Sequence, residues 1–527
     1  MNGTTMIQWI SRPASTPVRP WRRFLSRDRF PMARLLFTLL AVWGGGMMWL
    51  CPHLPLIDLP QHAAQASLMR ELLNGSSPWE SLVQVNLFTP YALEYFLALA
   101  LAFFPIHVAF TIILEIAYFG FLWALLALRR ALKGDPRLDI FFVPGFFGFA
   151  WQFGFVPFLV AAPLCVLFLM LARDHARTPT RITGLWLMVC GFLLFFAHGL
   201  AFLFALLAGS LLTAEGVLEG RWAPWRLLAP YLPLALLALT YHLLAPQGEP
   251  GTIRWGLAPV GRLAMFFFLP LGIGKEDKAF ALLTLLILTA PWLLGCRLNK
   301  RAFGWWVPFT TVVVTFFLVP SSGMGANYIY PRFALFILPT YALLFHPADA
   351  RSTGNPWRPI MAITLLAVGG ALYLGIKTMR LRAFSRETTQ IDALIRSLPR
   401  GKRVLSLIVA RGSEAARNPG AYEHYLLWYQ ACRSGFVEVN FASYKAQVVR
   451  FRPGHRPAVP AGMESRPLAF HFGPHKAWIY DYIIVKGDSA DARTLVERVT
   501  GDSGCPFTLL TSVNDWKVFG RQGTARA

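Results

Sequence analysis

The residues of this sequence best suited to chemistry lie in a short polar segment that follows the first apolar stretch. The segment carries a carboxylate, Asp58, and an imidazole, His62, four residues further on. In a helix these two side chains would be neighbours on one face. The apolar stretch before them, residues 32–51, is long enough to cross a bilayer as a helix. An ionisable side chain held just beyond the hydrocarbon core of a bilayer is a candidate for a functional site. Asp58 is the first such residue in this chain.

Asp58 also has a purely structural interpretation. Asp58 is followed by Leu-Pro-Gln, which is typical of a helix start with an aspartate cap and a proline in the first turn. The pattern predicts a helix that runs to Leu73, with Asn74-Gly75 as its stop, and that lies on the membrane surface. In one interpretation Asp58 only caps this helix. In the other, the same cap geometry holds its carboxylate at the mouth of a cavity.

Composition places the chain among multi-pass helical membrane proteins. Of its 527 residues 55% are hydrophobic, and 15% are charged, against roughly 25% in soluble domains. The net charge of +23 comes partly from basic clusters in short loops, which favour a cytoplasmic location and bind anionic lipids. A strongly basic chain also fits nucleic-acid binding, but the membrane explanation is simpler, and we expect no nucleic-acid partner.

The apolar stretches predict a transmembrane bundle of about 11 helices in residues 32–376. The basic N-terminus, residues 1–31, is expected to stay in the cytoplasm, which places the first outer loop, residues 52–85, on the far side. With an odd number of spans, residues 377–527 lie outside as well. The sequence thus predicts a multi-pass protein of a cell membrane, with a cytoplasmic N-terminus and an extracytoplasmic C-terminal domain.

Two features make the early part of this topology difficult. The predicted spans 86–104 and 107–128 put the basic run from Arg129 to Lys133 outside, against the positive-inside rule. Residues 140–172 are too long for one straight crossing and are interrupted around Gly154. A half-helix that enters the membrane and returns fits this interruption, since broken helices are tolerated where they line a cavity.

Residues 377–527 are predicted to form a small extracytoplasmic α/β domain. The expected strands are residues 403–410, 480–486, 507–513 and 516–519. The expected helices are residues 387–398 and 491–499. Cys432 and Cys505 are its two cysteines. They could form a disulfide in an oxidising compartment, if they lie within bonding distance.

The order of these parts resembles the GT-C class of membrane glycosyltransferases, which includes protein O-mannosyltransferases and aminoarabinose transferases. The matching pieces are Ile57-Asp58 with the helix after it, the bundle to Ile376, and the tail, so nearly the whole chain is covered. The Asp-Leu-Pro-Gln-His pattern is similar to that of bacterial relatives of these enzymes. The resemblance implies an all-α polytopic bundle with a C-terminal α/β domain. It also implies sugar transfer from a polyprenyl-phosphate donor to a protein, lipid or glycan acceptor.

Such chemistry makes Asp58 the candidate general base. A phosphate is a good leaving group, so one carboxylate suffices to take the proton of the acceptor. Well-studied members of the class often carry two adjacent acids in this loop, or a second acid in a later one. Here Leu59 follows Asp58, and no second loop acid is obvious. No metal ligands are therefore predicted, and a dependence on a divalent metal stays open.

The predicted substrate-binding residues are His62, His198, Arg332, Trp151, Gln152 and Tyr330. A guanidinium at Arg332 can bind the oxygens of a phosphate in a bidentate manner, although an arginine snorkelling between two tyrosines is the alternative. His198 stands alone between apolar stretches, so it is expected to face a cavity or to bond between helices. Trp151 and Gln152 would contact a sugar, unless they serve an aromatic belt and a helix turn.

Other functions remain open from the sequence. A polysaccharide polymerase or ligase would use similar outer-loop arginines, and a transporter or flippase would need polar groups near the midplane of the membrane. A non-catalytic scaffold is the remaining alternative. Convergence of Asp58, His198 and Arg332 around one cavity would favour a transferase, whereas a continuous polar path through the bundle would favour transport.

Overall fold

The computed structural model describes residues 31–521, apart from residues 219, 221, 245–251, 275–276, 300–302, 324, 348–356, 461 and 501–506. The α-helices in this part are α1 Pro31–Met47, α2 Leu59–Leu73, α3 Leu93–Ala100, α4 Ile106–Ala131, α5 Phe142–Phe146, α6 Phe149–Phe153, α7 Val156–Arg177, α8 Arg181–Ala197, α9 Gly199–Leu218, α10 Pro224–Leu228, α11 Tyr231–Leu244, α12 Pro259–Phe268, α13 Ala279–Leu293, α14 Val307–Leu318, α15 Ile329–Arg332, α16 Ala334–Ala342, α17 Trp357–Glu387, α18 Thr389–Ser397, α19 Leu427–Arg433 and α20 Ala490–Thr500. The strands are β1 Val83–Val85, β2 Arg297–Leu298, β3 Phe345–His346, β4 Arg403–Ile408, β5 Phe436–Val437, β6 Val449–Phe451, β7 Tyr482–Lys486, β8 Phe507–Val513 and β9 Trp516–Arg521.

Five helices in the described part of the chain are long and apolar enough to cross a membrane: Pro31–Leu50, Ile106–Ala131, Val156–Arg177, Gly199–Leu218 and Pro359–Glu387. Several further apolar helices, among them α8, α11 and α13, have 10–17 residues. These helices support a membrane protein. The predicted total of about 11 spans stays a prediction.

The predicted span 86–104 is not a continuous helix. α3 has only 8 residues, Leu93–Ala100, and α4 begins beside the first outer loop, where the His107 and His53 rings lie 5.6 Å apart. Since α4 has 26 residues, it is about 39 Å long, and its basic end at Arg129 lies far from that loop. We call the end of the bundle with residues 52–85 the site end, and the other the opposite end.

This arrangement removes the conflict with the positive-inside rule. α1 starts at the opposite end and leads into the first outer loop at the site end. Arg129 therefore lies at the same end of the bundle as the start of α1, which follows the basic N-terminal residues. The sequence-based scheme placed Arg129 at the other end because it treated the apolar stretch 86–104 as one continuous helix, whereas α3 has only 8 residues.

The predicted interruption in residues 140–172 is confirmed at Gly154. α6 ends there with Gly154 at a φ of 84°, and α7 starts two residues later. A Cβ atom at this position would lie 2.9 Å from the backbone nitrogen of Leu59 and 3.0 Å from that of Asp58. Only glycine fits both the left-handed backbone and this close approach.

The broken helices connect the two ends of the bundle instead of returning to one end. Asp135, shortly after α4, bonds with its backbone nitrogen to the carbonyl of Phe345 at the opposite end. At the site end the carbonyl of Phe153 accepts from the backbone nitrogen of Asp58 at 2.8 Å. The predicted half-helix that enters and returns was therefore wrong in its path, although the interruption itself was correctly located.

The C-terminal residues form a five-stranded sheet with the order β5-β4-β7-β9-β8. β5, β4 and β7 are parallel, whereas β9 is antiparallel to both β7 and β8. The four longer strands lie where the sequence predicts them, including the hairpin around Asn514-Asp515. Cys505 lies outside the residues that the structure describes, so its pairing with Cys432 stays a prediction.

The C-terminal domain packs directly onto the first outer loop. β1 of the loop pairs with β6 of the domain in antiparallel fashion. The side-chain oxygen of Gln65 accepts from the backbone nitrogen of Val449 at 2.9 Å. α2 is buried on all sides from Leu59 to Met69. Its predicted bounds are confirmed, but its predicted position on the membrane surface was wrong, because the domain covers it.

Candidate active site

Asp58 lies at the start of α2 in a buried position, with 9% of the residue exposed. Its side chain makes no capping hydrogen bond to the helix. The backbone of Asp58 already has helical angles (φ −91°, ψ −8°), whereas a capping residue usually has extended angles that direct its side chain back to the helix. The predicted cap was therefore wrong, and the carboxylate is available for other contacts.

The surroundings of Asp58 raise the pKa of its carboxyl group toward neutrality. Burial raises the pKa of the Asp58 carboxyl to about 7, while the charges of His62 and Arg332 oppose this shift. The carboxylates of Glu423 and Glu464 add to it by repulsion. Both protonation states of Asp58 are therefore populated at neutral pH, which suits a general base.

His424 of the C-terminal domain faces Asp58, with its Nε2 atom 3.5 Å from Oδ1. Gln61 determines which ring nitrogen of His424 carries the proton. The Gln61 oxygen accepts from the backbone nitrogen of Phe441 at 2.9 Å, so its amide nitrogen is the donor to Nδ1 of His424 at 3.1 Å. Burial lowers the pKa of His424 to about 3. The ring is thus neutral, and its Nε2–H points toward Asp58.

His62, one turn after Asp58, binds to α3. Its Nδ1 atom lies 2.8 Å from a carboxylate oxygen of Glu94 and 3.0 Å from the hydroxyl of Tyr95. Glu94 is fully buried, so the pair fixes the imidazole at the junction of α2 and α3. The structure therefore places His62 beside the carboxylate of Asp58 with one ring nitrogen already engaged.

Arg332 is held by three hydrogen bonds and one aromatic ring. It donates to the carbonyls of Tyr328 at 3.2 Å and Asn327 at 2.9 Å, and to Nε2 of His198 at 3.1 Å. The guanidinium carbon lies 3.8 Å from the ring centre of Phe155. A snorkelling arginine has no such set of fixed partners. Three of its five N–H groups are used in this way, one on each nitrogen.

His198 is fully buried between α8 and α9. Because an arginine can only donate, Nε2 of His198 accepts the bond from Arg332, while Nδ1 lies 3.4 Å from the backbone nitrogen of Ala201. The edges of the Tyr91 and Phe158 rings pack against it, with ring centres 5.3 and 5.2 Å away. In this position His198 orients Arg332.

The remaining predicted residues direct their side chains elsewhere. Tyr330 is 4% exposed, and its ring lies under the guanidinium of Arg262 at 4.2 Å. Trp151 and Gln152 are buried and line a separate cavity beside α17. Their predicted contacts with a substrate stay predictions.

Sequence reasoning missed His424 and the contact of Gln61 with it, whereas Glu94, an acid inside an apolar stretch, is predicted from the sequence to be a polar partner in the interior of the bundle. Gln61 and Glu94 are near Asp58 in sequence, but their roles depend on contacts with other elements. His424 is 366 residues away and lies between a glutamate and a tyrosine, with no motif around it. Among the described residues, no group of three or more His, Cys, Asp or Glu side chains could hold a metal ion.

No family model matches the chain, and no curated protein matches it. Among solved structures it is similar to the cryo-EM structure of the arabinofuranosyltransferase AftD from Mycobacteria. The two are 13% identical with a TM-score of 0.46, over 94% of this chain and 40% of that one. The chain thus spans well under half of the length of that structure. Functional inference therefore rests on the geometry of the site.

Proposed function

We propose that this protein is a membrane glycosyltransferase that moves a sugar from a polyprenyl-phosphate donor to an acceptor hydroxyl at the site end. One observation carries the proposal. A buried carboxylate with a pKa near neutrality, Asp58, and a rigidly held guanidinium, Arg332, lie close enough for their charges to interact. The first suits removal of a proton, and the second suits stabilisation of a departing phosphate.

The reaction needs only these two kinds of group. The acceptor oxygen forms a bond to the anomeric carbon of the sugar, and the bond from that carbon to the phosphate oxygen breaks. The bonding electrons leave with the phosphate, and the proton of the acceptor goes to Asp58. Since the phosphate is a good leaving group, no strong general acid is required.

Asp58 is oriented for this role by the C-terminal domain. The Nε2–H of neutral His424 faces Oδ1, which leaves Oδ2 for the acceptor. A small cavity beside His424 is lined by Glu423 and Glu464, and both influence the charge of Asp58. Carboxylates around a cavity are acceptors for hydroxyl protons, so the cavity lined by His424, Glu423 and Glu464 suits part of a hydroxyl-bearing acceptor.

Arg332 is prepared for an anionic partner. With one hydrogen bond from each nitrogen to the protein, a further N–H remains on each terminal nitrogen. These two N–H groups can bind two oxygens of one phosphate, and the charge that builds there in the transition state strengthens the contact. The buried position of His198 prevents the guanidinium from turning away.

The proposal is tested by Asp58→Asn in the purified full chain. Asparagine preserves the size of the side chain but cannot take a proton, so sugar transfer from a panel of polyprenyl-phosphate sugars should fall at least about a hundredfold. Asp491→Asn, a change at an exposed helix position, is the control and should leave transfer unchanged. Undiminished transfer by Asp58→Asn would contradict the proposed role of the carboxylate.

A further inference from the structure

A second small cavity lies where four parts of the chain meet. Its walls come from the first outer loop, the broken helix, α17 and the C-terminal domain, through Pro55, Trp151, Gln152, Lys377, Arg380, Leu381, Ala416 and Asn418. The side chains that contact Asp58 are not among these residues. The cavity is therefore distinct from the cluster around Asp58 and Arg332.

Two buried donors in this wall have no hydrogen-bond acceptor in the part of the chain that the structure describes. Trp151 is 2% exposed and Lys377 is 3% exposed, yet neither the indole Nε1 nor the ammonium Nζ has a hydrogen-bond partner among the residues the structure describes. A buried donor without a hydrogen-bond partner destabilises the folded chain, and a charged one does so more strongly. Their presence side by side in one cavity indicates a ligand that accepts hydrogen bonds.

The charges around the cavity favour an anion. Asp277 accepts from Arg380 at 2.6 Å, while its other oxygen lies 3.9 Å from Nζ of Lys377. That second oxygen also accepts from the backbone nitrogen of Ile273 at 3.1 Å. Asp277 thus balances one of the two basic side chains, and the group carries an excess positive charge whenever Lys377 is protonated.

The amide group of Asn418, in the remaining wall, already has partners in the protein. The amide nitrogen of Asn418 donates to the carbonyls of Pro55 at 2.8 Å and of Gln152 at 3.1 Å. Its oxygen accepts from the backbone nitrogen of Gly420 at 3.0 Å. These bonds join the domain to the loop and to the broken helix, and they use both N–H groups of the Asn418 amide.

We infer that this cavity binds a phosphate group, with Lys377, Trp151 and Arg380 as its donors. An ammonium, an indole N–H and the remaining N–H groups of a guanidinium supply donors from three side chains, which suits a tetrahedral oxyanion with several acceptor oxygens. The phosphate comes either from solution or from the headgroup of a phospholipid. Its binding joins the outer loop, α17 and the domain, and therefore stabilises the folded chain.

Isothermal titration calorimetry on the purified full chain tests this inference. The two probes are inorganic phosphate at constant ionic strength and dihexanoyl phosphatidic acid, with dihexanoyl glycerol as the phosphate-free analogue. We expect one site per chain, at least tenfold weaker in Lys377→Met and several-fold weaker in Trp151→Phe. Lys278→Met, a change at an exposed lysine next to Asp277, should bind as the parent does.

The outcomes separate the two sources. Binding of inorganic phosphate supports an anion from solution, and binding of phosphatidic acid alone supports a lipid headgroup. Absence of saturable binding by both probes, full displacement by equimolar chloride, or unchanged binding in Lys377→Met and Trp151→Phe would overturn the inference. The thermal unfolding midpoint gives a second readout, because phosphate should raise it in the parent and not in Lys377→Met. Should Lys377→Met fail to fold, Trp151→Phe decides, since it keeps an aromatic side chain and removes the indole N–H donor.

Discussion

Two buried aspartates at opposite ends of the bundle have very different surroundings. At the opposite end, Asp135 accepts from Nε and Nη2 of Arg137 at 3.0 and 2.6 Å, from its backbone nitrogen at 2.9 Å, and from the thiol of Cys296 at 3.2 Å. At the site end, Asp58 has one imidazole at 3.5 Å and no capping bond. The first carboxylate is fully paired, and the second is buried with few partners.

This difference separates a structural carboxylate from a reactive one. The charge of an aspartate that binds one arginine through two hydrogen bonds is compensated by that arginine, as in the pair of Asp135 and Arg137. A carboxylate that is buried without such a partner acquires a raised pKa, as Asp58 does, and can take up a proton near neutral pH. The burial of Asp58 with few partners lowers the stability of the folded chain, and the same burial gives Asp58 the raised pKa on which its proposed role as a base depends.

The largest effect is expected from Asp135→Asn, which removes the charge that compensates buried Arg137. Loss of one partner of a buried ion pair costs on the order of 3–5 kcal/mol, so the variant should unfold at a much lower temperature and accumulate poorly in membranes. Glu414→Gln, at a side chain that is 95% exposed, serves as the control. A stability equal to that of the parent would mean that Asp135 is not the structural counterpart of Asp58.

Arg332→Lys should lower the rate of transfer about tenfold to a hundredfold, and Arg332→Ala more. A lysine cannot reproduce the bonds to Tyr328, Asn327 and His198 while it binds two oxygens of a phosphate. Steady-state kinetics with a lipid-linked sugar measure the loss, which should appear in kcat as well as in KM.

Arg262 provides the matched control for this prediction. It is 2% exposed, lies at the same end, and donates to the carbonyls of Phe317 at 2.9 Å and Val319 at 2.7 Å. Arg262→Lys should therefore reduce thermal stability and leave kcat nearly unchanged. Equal losses of kcat in Arg332→Lys and Arg262→Lys would indicate that Arg332, like Arg262, only stabilises the fold.

Local features of the fold were predictable from the sequence. The bounds of α2 follow from its turn residues, and the break at Gly154 follows from a glycine and a proline in an apolar stretch. The strands β4, β7, β8 and β9 follow from β-branched runs of sufficient length. Each of these signals is contained in about ten consecutive residues, where local backbone preferences decide the structure.

Features that depend on distant contacts were not predictable. Asp58 does not cap α2, because its backbone bonds to Phe153 and adopts helical angles. The apolar side chains of residues 86–104 pack against neighbouring elements. Composition alone does not distinguish such a packed segment from a transmembrane helix. His424 reaches Asp58 only because the domain docks on the loop. Neither apolar periodicity nor a short motif predicts such a contact between distant parts of the chain.

His424→Phe should have a moderate effect that appears mainly in the pH profile. The Nε2–H that faces Asp58 favours the ionised carboxylate, so its loss should raise the pKa of Asp58 further and shift the acid limb of kcat/KM to higher pH. His424→Gln keeps an N–H donor and should restore part of the shift. An unchanged profile in His424→Phe, with only a lower yield of folded protein, would reduce His424 to a packing residue.

The smallest expected effect is a pH-dependent difference in stability between the parent and Asp58→Asn. The pKa of Asp58 is about 7 in the folded chain, against about 3.9 for an unfolded aspartate. Between these values only the folded state holds the proton, so the parent loses stability relative to Asp58→Asn as pH rises through this window. Above this pH window the difference in the free energy of unfolding between the two proteins should stay constant, at no more than a few kcal/mol.

Activity and stability should therefore change in opposite directions over one pH range. The rate of transfer rises as Asp58 ionises near pH 7, where the folded chain has just lost the stability that the neutral carboxyl provided. Thermal unfolding midpoints of both proteins at pH values from 4 to 8 measure the gap. A gap that does not depend on pH would mean that Asp58 titrates alike in the folded and unfolded chains. Burial would then not be the source of its reactivity, and the contrast with Asp135 would lose its physical basis.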